Sequence, residues 1–246
     1  MTMQAMSIQT TDGVAPARFF PSRGRATGAG VIVYMDAFGP RPGLDTMGER
    51  LAGLGYAVLI PDLFYRFGAY GPLYALTAFG NEETRAKIMG MMGGTPHAMT
   101  RADTGAFLDA LVAAGVTGPI GAVGYCMGGG RAIHAAAAYP DRIAAAASFH
   151  GGNLATDAAD SPHTVAATIK GRVYVGVAGV DRSFPPEQSA RLAQALREAE
   201  VDHTIENYVG KQHGWCVPDH SVFDHDGAER HWTRLETLFG ETLGRA

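Results

Sequence analysis

The residues best suited to catalysis lie in one glycine-rich turn, Gly124-Tyr125-Cys126-Met127-Gly128. The pattern G-x-C-x-G is the thiol version of the turn that presents a nucleophile between a strand and a helix. Backbone packs so tightly around such a turn that side chains two positions from the nucleophile would collide, and glycine removes the clash. The dipole of the following helix favours a thiolate. The alternative is a tight turn around a packed, inert cysteine, since free cysteines are usually buried.

A carboxylate and an imidazole follow two other predicted strands. Asp181 comes after the apolar run 173–178, and His213 comes after the run 204–208. Ligand sites of open α/β sheets lie beyond the carboxyl ends of the parallel strands. The chain order of nucleophile, acid and base is that of α/β-hydrolases. Taken singly, Asp181 could be a helix cap and His213 an ordinary turn histidine, but together with Cys126 they predict a Cys-His-Asp triad.

A fourth strand end adds the turn Asp36-Ala37-Phe38-Gly39 after the apolar run 31–34. In this topology that loop supplies one amide of the oxyanion hole, and the residue after the nucleophile supplies the other. We therefore assign the two amides to Ala37 and Met127. Asp36 is unusual there, because a carboxylate opposes a developing oxyanion. It is either a ligand of its own loop or a partner of the thiol.

The elements that must position these residues alternate along the chain. A hairpin is predicted over 5–20, and residues 63–80 form a long aromatic and glycine-rich excursion. Strands are predicted at 31–34, 56–60, 120–125, 143–149, 172–178 and 203–208. Helices are predicted at about 44–54, 81–92, 99–114, 131–138, 187–199 and 227–239. Such alternation predicts an α/β fold in one domain spanning 1–246, with a mostly parallel sheet covered by helices on both faces.

Composition excludes several classes of protein. A net charge of -4 leaves no basic stripe for nucleic acid. No apolar run reaches the length of a membrane span, and residues 1–10 lack the features of a signal peptide, so we expect a cytoplasmic protein. The two cysteines, Cys126 and Cys216, make no disulfide framework, and packing is the favoured role of Cys216. No Cys or His pairing has metal-ligand spacing, so no metal or other cofactor is expected.

The chain resembles the dienelactone hydrolase family. The resemblance rests on five runs: 35–39, 55–63, 124–129, 179–181 and 213–215. The Gly-Tyr-Cys-x-Gly-Gly form of the nucleophile turn is its most diagnostic motif. It implies an α/β-hydrolase fold without a large lid, a triad of Cys126, His213 and Asp181, and acyl-enzyme chemistry on esters or lactones.

Two departures concern the thiol and the substrate. The family has a glutamate at the position of Asp36 that engages the resting thiol, and the aspartate is one methylene shorter. The family also holds a substrate carboxylate with two arginines, one of them four residues past the catalytic histidine, where this chain has Val217. Arg85 could match the other arginine or be a solvated helix residue. The resemblance therefore implies a substrate less anionic than a dienelactone.

Candidate substrate contacts are Arg85, Phe38, Tyr125 and Trp215. Aromatic residues of the excursion suggest an aromatic pocket, although core packing accounts for some of them: Tyr65, Phe67, Tyr70, Tyr74 and Phe79. The sequence thus predicts a hydrolase of a small ester or lactone. The alternatives are an acyl or thioester transferase using the same site, and a ligand-binding protein with a vestigial triad. No feature of the sequence indicates an oligomeric state.

Overall fold

The computed structural model describes residues 3–24 and 26–244. They form an α/β structure around one eight-stranded sheet with strand order β1-β2-β4-β3-β5-β6-β7-β8. The strands are β1 Gln4–Thr10, β2 Gly13–Phe20, β3 Gly30–Tyr34, β4 Ala57–Pro61, β5 Ile120–Tyr125, β6 Ile143–Phe149, β7 Arg172–Val180 and β8 His203–Gln212. The α-helices are α1 Pro42–Gly53, α2 Glu82–Gly93, α3 His97–Ala113, α4 Met127–Ala138, α5 Pro186–Glu198 and α6 His225–Thr242.

The predicted hairpin and parallel sheet are both present. β1 and β2 pair antiparallel around a two-residue loop, and β2 joins β4 antiparallel. The remaining six strands run parallel, from β4 through β8. β3 and β5 are buried along their whole length, as expected of central strands that are covered by helices on both faces. Their carboxyl ends therefore meet at the middle of one sheet edge.

The helices cover the two faces. α1 and α6 pack on one face and are tied together by Arg50, which donates two hydrogen bonds to Glu229 at 2.6 and 2.8 Å. α3 and α4 pack against each other on the opposite face. α4 is buried along nearly its whole length, so the helix that follows Cys126 is held rigidly against the sheet.

Several element bounds differ from the sequence-based prediction. β7 and β8 are longer than predicted and reach Val180 and Gln212, because the pairing shifts register between Ala178 and Val180 and continues beyond the irregularity. Asp181 and His213 are therefore the first residues after their strands. The segment 153–170, predicted as a loop, contains a 3₁₀ helix at Pro162–Thr168.

The excursion after β4 contains short 3₁₀ helices at Tyr65–Phe67 and Ala78–Gly80, in agreement with the prediction of short helical pieces. Across residues 3–24 and 26–244, no inserted lid domain interrupts the fold. None of the helices seen there is both long and apolar enough to cross a lipid bilayer.

Candidate active site

Five strand ends at one edge of the sheet carry the candidate catalytic groups. Four of these groups come directly after a strand: Cys126 after β5, His150 after β6, Asp181 after β7 and His213 after β8. Asp36 lies two residues beyond β3. Because these five strands are parallel neighbours, their carboxyl ends bring residues from distant parts of the chain to one edge. The four residues proposed from the sequence therefore lie at one edge of the sheet, and His150 joins them.

Cys126 has the strained backbone of a nucleophile turn. Its φ of 55° lies in the left-handed region that a residue with a Cβ rarely adopts. A Cβ on Gly124 would overlap the carbonyl of Gly128, and a Cβ on Gly128 would overlap the carbonyl of Tyr34. The glycines at these positions are thus required by the turn, as the spacing predicted. The Cys126 side chain is partly exposed and precedes the first residue of α4.

His213 and Asp181 form a hydrogen-bonded pair beside Cys126. The Nδ1 atom of His213 lies 2.7 Å from Oδ2 of Asp181. The other carboxylate oxygen accepts the amide N–H of Ser183 at 2.8 Å and its hydroxyl at 2.6 Å. These bonds fix the carboxylate, which in turn orients the imidazole. The Cys126 side chain lies close enough to His213 to shift the pKa of its imidazole.

The charges around His213 favour its protonated form. Burial alone would lower the pKa of His213, but the negative charges of Cys126 and Asp181 and their hydrogen bonds outweigh burial and raise it to about 10. Burial likewise opposes ionisation of Asp181, but His213 and Ser183 more than offset it, so the pKa of Asp181 is lowered. The arrangement therefore favours the protonated imidazole of His213.

This charge arrangement predicts how His213 titrates. The imidazolium should persist through neutral pH and lose its proton only as the pH approaches about 10. Substitution Cys126→Ala removes one of the two negative groups, so the pKa of His213 should fall toward the neutral range. NMR of ¹³C-labelled imidazole rings measures both values. An unchanged His213 titration in the variant would show that the sulfur carries no charge beside the ring.

His150 supports the nucleophile turn from behind. Its Nδ1 atom accepts the backbone N–H of Cys126 at 3.1 Å, which places the proton of the neutral ring on Nε2. Burial and the nearby histidines His213, His220 and His231 lower the pKa of His150 well below its usual range. The neutral acceptor form is therefore retained, and the ring packs edge-on against that of His213 at 4.8 Å.

The two amides proposed for the oxyanion hole are unoccupied by other partners. Neither the N–H of Ala37 nor that of Met127 donates to an acceptor within residues 3–24 and 26–244. Met127 is the first residue of α4, where amides have no acceptor in their own helix. The Asp36 carboxylate accepts the N–H of Phe38 at 3.0 Å and so fixes the loop that contains Ala37.

Asp36 does not contact the thiol, which corrects the assignment of Asp36 to the catalytic group. Its carboxylate receives two hydrogen bonds from Arg41, at 2.6 and 2.8 Å, and one from His220 at 3.1 Å. Within the described chain no hydrogen bond joins it to the Cys126 sulfur. The short side chain ends close to its own loop, where Arg41 reaches it. Burial opposes its ionisation, but His220 and Arg41 lower the pKa of Asp36.

Arg41 links Asp36 to the loop after His213. Its guanidinium donates to Asp219 at 2.7 and 2.9 Å in addition to its bonds with Asp36. It also lies 5.2 Å from the ring centre of Phe38. The chain segments after β3 and after β8 are therefore joined by four charged or titratable side chains: the buried Asp36 and Arg41 and the partly exposed Asp219 and His220.

Two of the four predicted substrate contacts, Tyr125 and Trp215, are wrong, and Arg85 stays a prediction. The Arg85 side chain is exposed on α2 and has no hydrogen bond or ion pair among the described residues. Tyr125 is fully buried, and its hydroxyl bonds Nε2 of His231 at 3.0 Å in the core. Trp215 is fully buried and packs against Tyr208 with ring centres 4.6 Å apart.

Phe38 lines a cavity and stays a predicted substrate contact. It lies edge-on to His220, with ring centres 5.3 Å apart, and lines a cavity beside the loop after β3. Cys216 is 1% exposed, as predicted from its lack of a nucleophile turn, and burial raises the pKa of its thiol well above the usual range. Within residues 3–24 and 26–244, no group of three or more His, Cys, Asp and Glu side chains could hold a metal ion.

The site contains residues that the sequence did not single out. Arg41, Asp219 and Ser183 carry no local motif, and their roles depend on contacts formed only in the folded chain. His150 had a usable signal, because it follows a predicted strand as directly as Cys126 does. His220 follows His213 by seven residues without a recognisable spacing.

A parallel sheet with these strand ends and a strand–turn–helix at Cys126 defines an α/β-hydrolase. The chain belongs to the dienelactone hydrolase family, whose sequence profile matches residues 17–243. It is therefore a dienelactone hydrolase-like hydrolase. The expected family and fold are confirmed.

Individual relatives agree with this placement. A Synechocystis protein named "Putative carboxymethylenebutenolidase" is 28% identical over 222 residues, covering 87% of this chain and 86% of that protein. The crystal structure of a dienelactone hydrolase-like promiscuous phosphotriesterase from metagenomic libraries has a TM-score of 0.77 and 26% identity, covering 99% of this chain and 100% of that one. A Klebsiella pneumoniae structure described as a "Putative Dienelactone Hydrolase" shares the fold, with a TM-score of 0.84, 21% identity and coverage of 97% and 98%.

Proposed function

We propose that the protein hydrolyses carboxylic esters or lactones through a thioester formed on Cys126. The single observation that supports this most strongly is the geometry of three strand ends. A partly exposed cysteine with φ of 55° stands beside an imidazole whose Nδ1 atom lies 2.7 Å from a carboxylate. This is the arrangement that activates a thiol for attack on a carbonyl group.

The reaction would run in two halves. The Cys126 thiolate attacks the carbonyl carbon, and the amides of Ala37 and Met127 donate to the resulting oxyanion. The tetrahedral intermediate collapses with loss of the alkoxide, which takes the proton from Nε2 of His213. Water then gives a proton to His213 and attacks the thioester, releasing the carboxylic acid and the thiolate. Asp181 holds Nδ1–H of the imidazole throughout, so the other nitrogen faces the reaction.

The covalent intermediate provides the test. A p-nitrophenyl ester mixed with stoichiometric enzyme should release nitrophenolate in a burst and leave one acyl group on the protein, which intact-mass spectrometry detects. Peptide mapping should place the acyl group on Cys126 and not on Cys216. The Cys216→Ala variant is the matched control and should acylate normally, because that thiol is buried. Hydrolysis by a protein that never carries the acyl group would contradict the proposal.

A further inference from the structure

A cavity of about 560 Å³ lies beside the loop after β3 and has no assigned role. Its wall includes Phe38 and Pro40 from that loop, together with Tyr70, Leu73 and Ala75 from the excursion after β4. Phe38 is the neighbour of Ala37, whose amide is proposed to hold the oxyanion. The volume is in the range of sites that hold small organic molecules. Phe38 therefore belongs both to the cavity wall and to the loop that contains Ala37.

The charged groups in the cavity wall are all paired. Arg18 forms an ion pair with Asp45, and Arg41 is held by Asp36 and Asp219. Asp62, the remaining carboxylate in the wall, accepts the Tyr70 hydroxyl at 2.8 Å. No cation in the wall is therefore free to bind a substrate carboxylate. Val217, which stands four residues past His213, is also fully buried and apolar.

The rim of the cavity is apolar and exposed. Tyr74 and Leu76 are 67% and 65% exposed, although both line the cavity. Phe67 and Phe79, from the same excursion, are 42% and 48% exposed. Exposed large apolar side chains at a concavity, as Tyr74 and Leu76 are here, are typical of ligand-binding grooves and of interaction surfaces.

The excursion is packed onto the loop after β3. The Tyr70 ring occupies the space that a side chain at Gly39 would fill, and Gly39 has a φ of 78°, which favours glycine. Phe38 is in edge-on contact with Phe79, with ring centres 5.3 Å apart. Ligand in the cavity would therefore touch the same loop that carries the Ala37 amide.

We propose that this cavity binds the uncharged, apolar arm of the ester and makes the enzyme selective for neutral aryl or branched alkyl esters. The inference depends on the proposed esterase function and names the substrate class for it. The arm would bury its apolar surface against Phe38, Tyr70 and Leu73, and the carbonyl would lie at the Ala37 amide. An ester whose arm ends in a carboxylate would lose hydration without gaining a cation.

Two ester series test the cavity. In p-nitrophenyl esters the acyl arm is varied from acetate to phenylacetate, with the hemisuccinate as the anionic member. In acetate esters the alcohol arm is varied from phenyl to 2-naphthyl. The wild type should prefer the larger neutral member of at least one series in kcat/KM by about 10-fold or more, the effect of one or two added apolar groups in a fitting pocket. A preference for the hemisuccinate would overturn the inference.

The variant Ala75→Phe narrows the cavity and should lower kcat/KM for the larger neutral ester more than for p-nitrophenyl acetate, so that the preference is lost. Leu73→Ala enlarges the cavity and should shift the preference toward larger arms. The matched control is Ala114→Phe, an exposed position after α3 and before β5, at the opposite sheet edge from Cys126. Circular dichroism and thermal melting check that each variant is folded.

The outcomes separate the two proposals. If no ester is hydrolysed by the wild type, the proposed function fails. If the wild type hydrolyses p-nitrophenyl acetate but neither series responds to Ala75→Phe, the esterase function stands and the cavity inference is wrong. If Ala75→Phe leaves the kinetics unchanged and only breaks a dimer in sedimentation analysis, the rim is an interface for a second copy, and the inference is again wrong.

Discussion

Substitution Cys126→Ala should lower kcat for p-nitrophenyl acetate by about 10⁴- to 10⁶-fold, the loss seen when a triad nucleophile is removed. The methyl group cannot attack the carbonyl carbon, so any residual rate must come from binding and from the free amides of Ala37 and Met127. His213→Ala should cause a loss of similar size, because the imidazole both orients the thiol and transfers its proton. Steady-state kinetics on purified, folded variants measure the effect.

The double variant separates a triad from independent contributions. Residues that act as one unit are strongly non-additive, so Cys126→Ala with His213→Ala should be little worse than Cys126→Ala alone. Cys216→Ala controls for the loss of a thiol as such and should keep wild-type kinetics. Full activity of Cys126→Ala would refute the assignment of the nucleophile. Losses that multiply in the double variant would mean that His213 acts by a route separate from the thiol.

The sequence predicts the nucleophile turn well because the cause is local. Gly124, Cys126 and Gly128 lie within five residues, and the backbone clash that selects the glycines is formed within the same turn and with the adjacent strand. Asp181 and His213 are predictable for a different reason. Each follows an apolar run, and the parallel topology brings such ends to one sheet edge.

The partner of Asp36 could not be predicted in the same way. Arg41 is only five residues away, but its second carboxylate, Asp219, is 178 residues further along the chain, and His220 is 184 residues from Asp36. Those contacts depend on how the loops after β3 and β8 meet, and hydrophobic periodicity carries no information about loop packing.

Position next to a catalytic residue was also a poor guide to substrate contact. Tyr125 and Trp215 lie one and two residues from Cys126 and His213 but point into the core. Successive strand side chains alternate between the two faces of a sheet, and Tyr125, the last residue of β5, bonds His231 of α6 instead of facing the site. Chain proximity therefore says little about the direction of a side chain.

Substitution Arg41→Met should lower the free energy of unfolding by about 3–5 kcal/mol, because it leaves Asp36 as a buried charge without its main partner. Asp36 is fully buried, and the methionine can cover Phe38 but cannot donate hydrogen bonds. Adding Asp36→Asn to Arg41→Met should restore part of the loss, since the buried charge is then absent. Urea unfolding at neutral pH followed by circular dichroism gives the values.

The pH dependence of that loss has a defined sign. In the wild type the pKa of Asp36 is lowered on folding, so its ionisation stabilises the protein above the unfolded value near 3.9, and this contribution disappears as the pH falls through the folded value. Without Arg41, His220 still lowers the pKa of Asp36, but the charge and hydrogen bonds of Arg41 no longer offset burial, so this pKa should be higher in the variant than in the wild type. The Arg41→Met variant should then recover stability relative to the wild type as the pH is lowered, because protonation removes the unpaired charge.

A partly exposed arginine with two carboxylate partners, Arg172, is the control for Arg41. Arg172 forms ion pairs with Asp202 and Glu241, but both carboxylates are largely in water. Arg172→Met should therefore cost no more than about 1 kcal/mol. If Arg41→Met lowers the free energy of unfolding by as little as Arg172→Met does, Asp36 does not depend on Arg41. The same conclusion follows if the difference in stability between Arg41→Met and the wild type does not shrink at acidic pH. The loop that carries the Ala37 amide would then be held by the Phe38 N–H and His220 contacts of Asp36, and Arg41 would serve mainly to join Asp219 to Phe38.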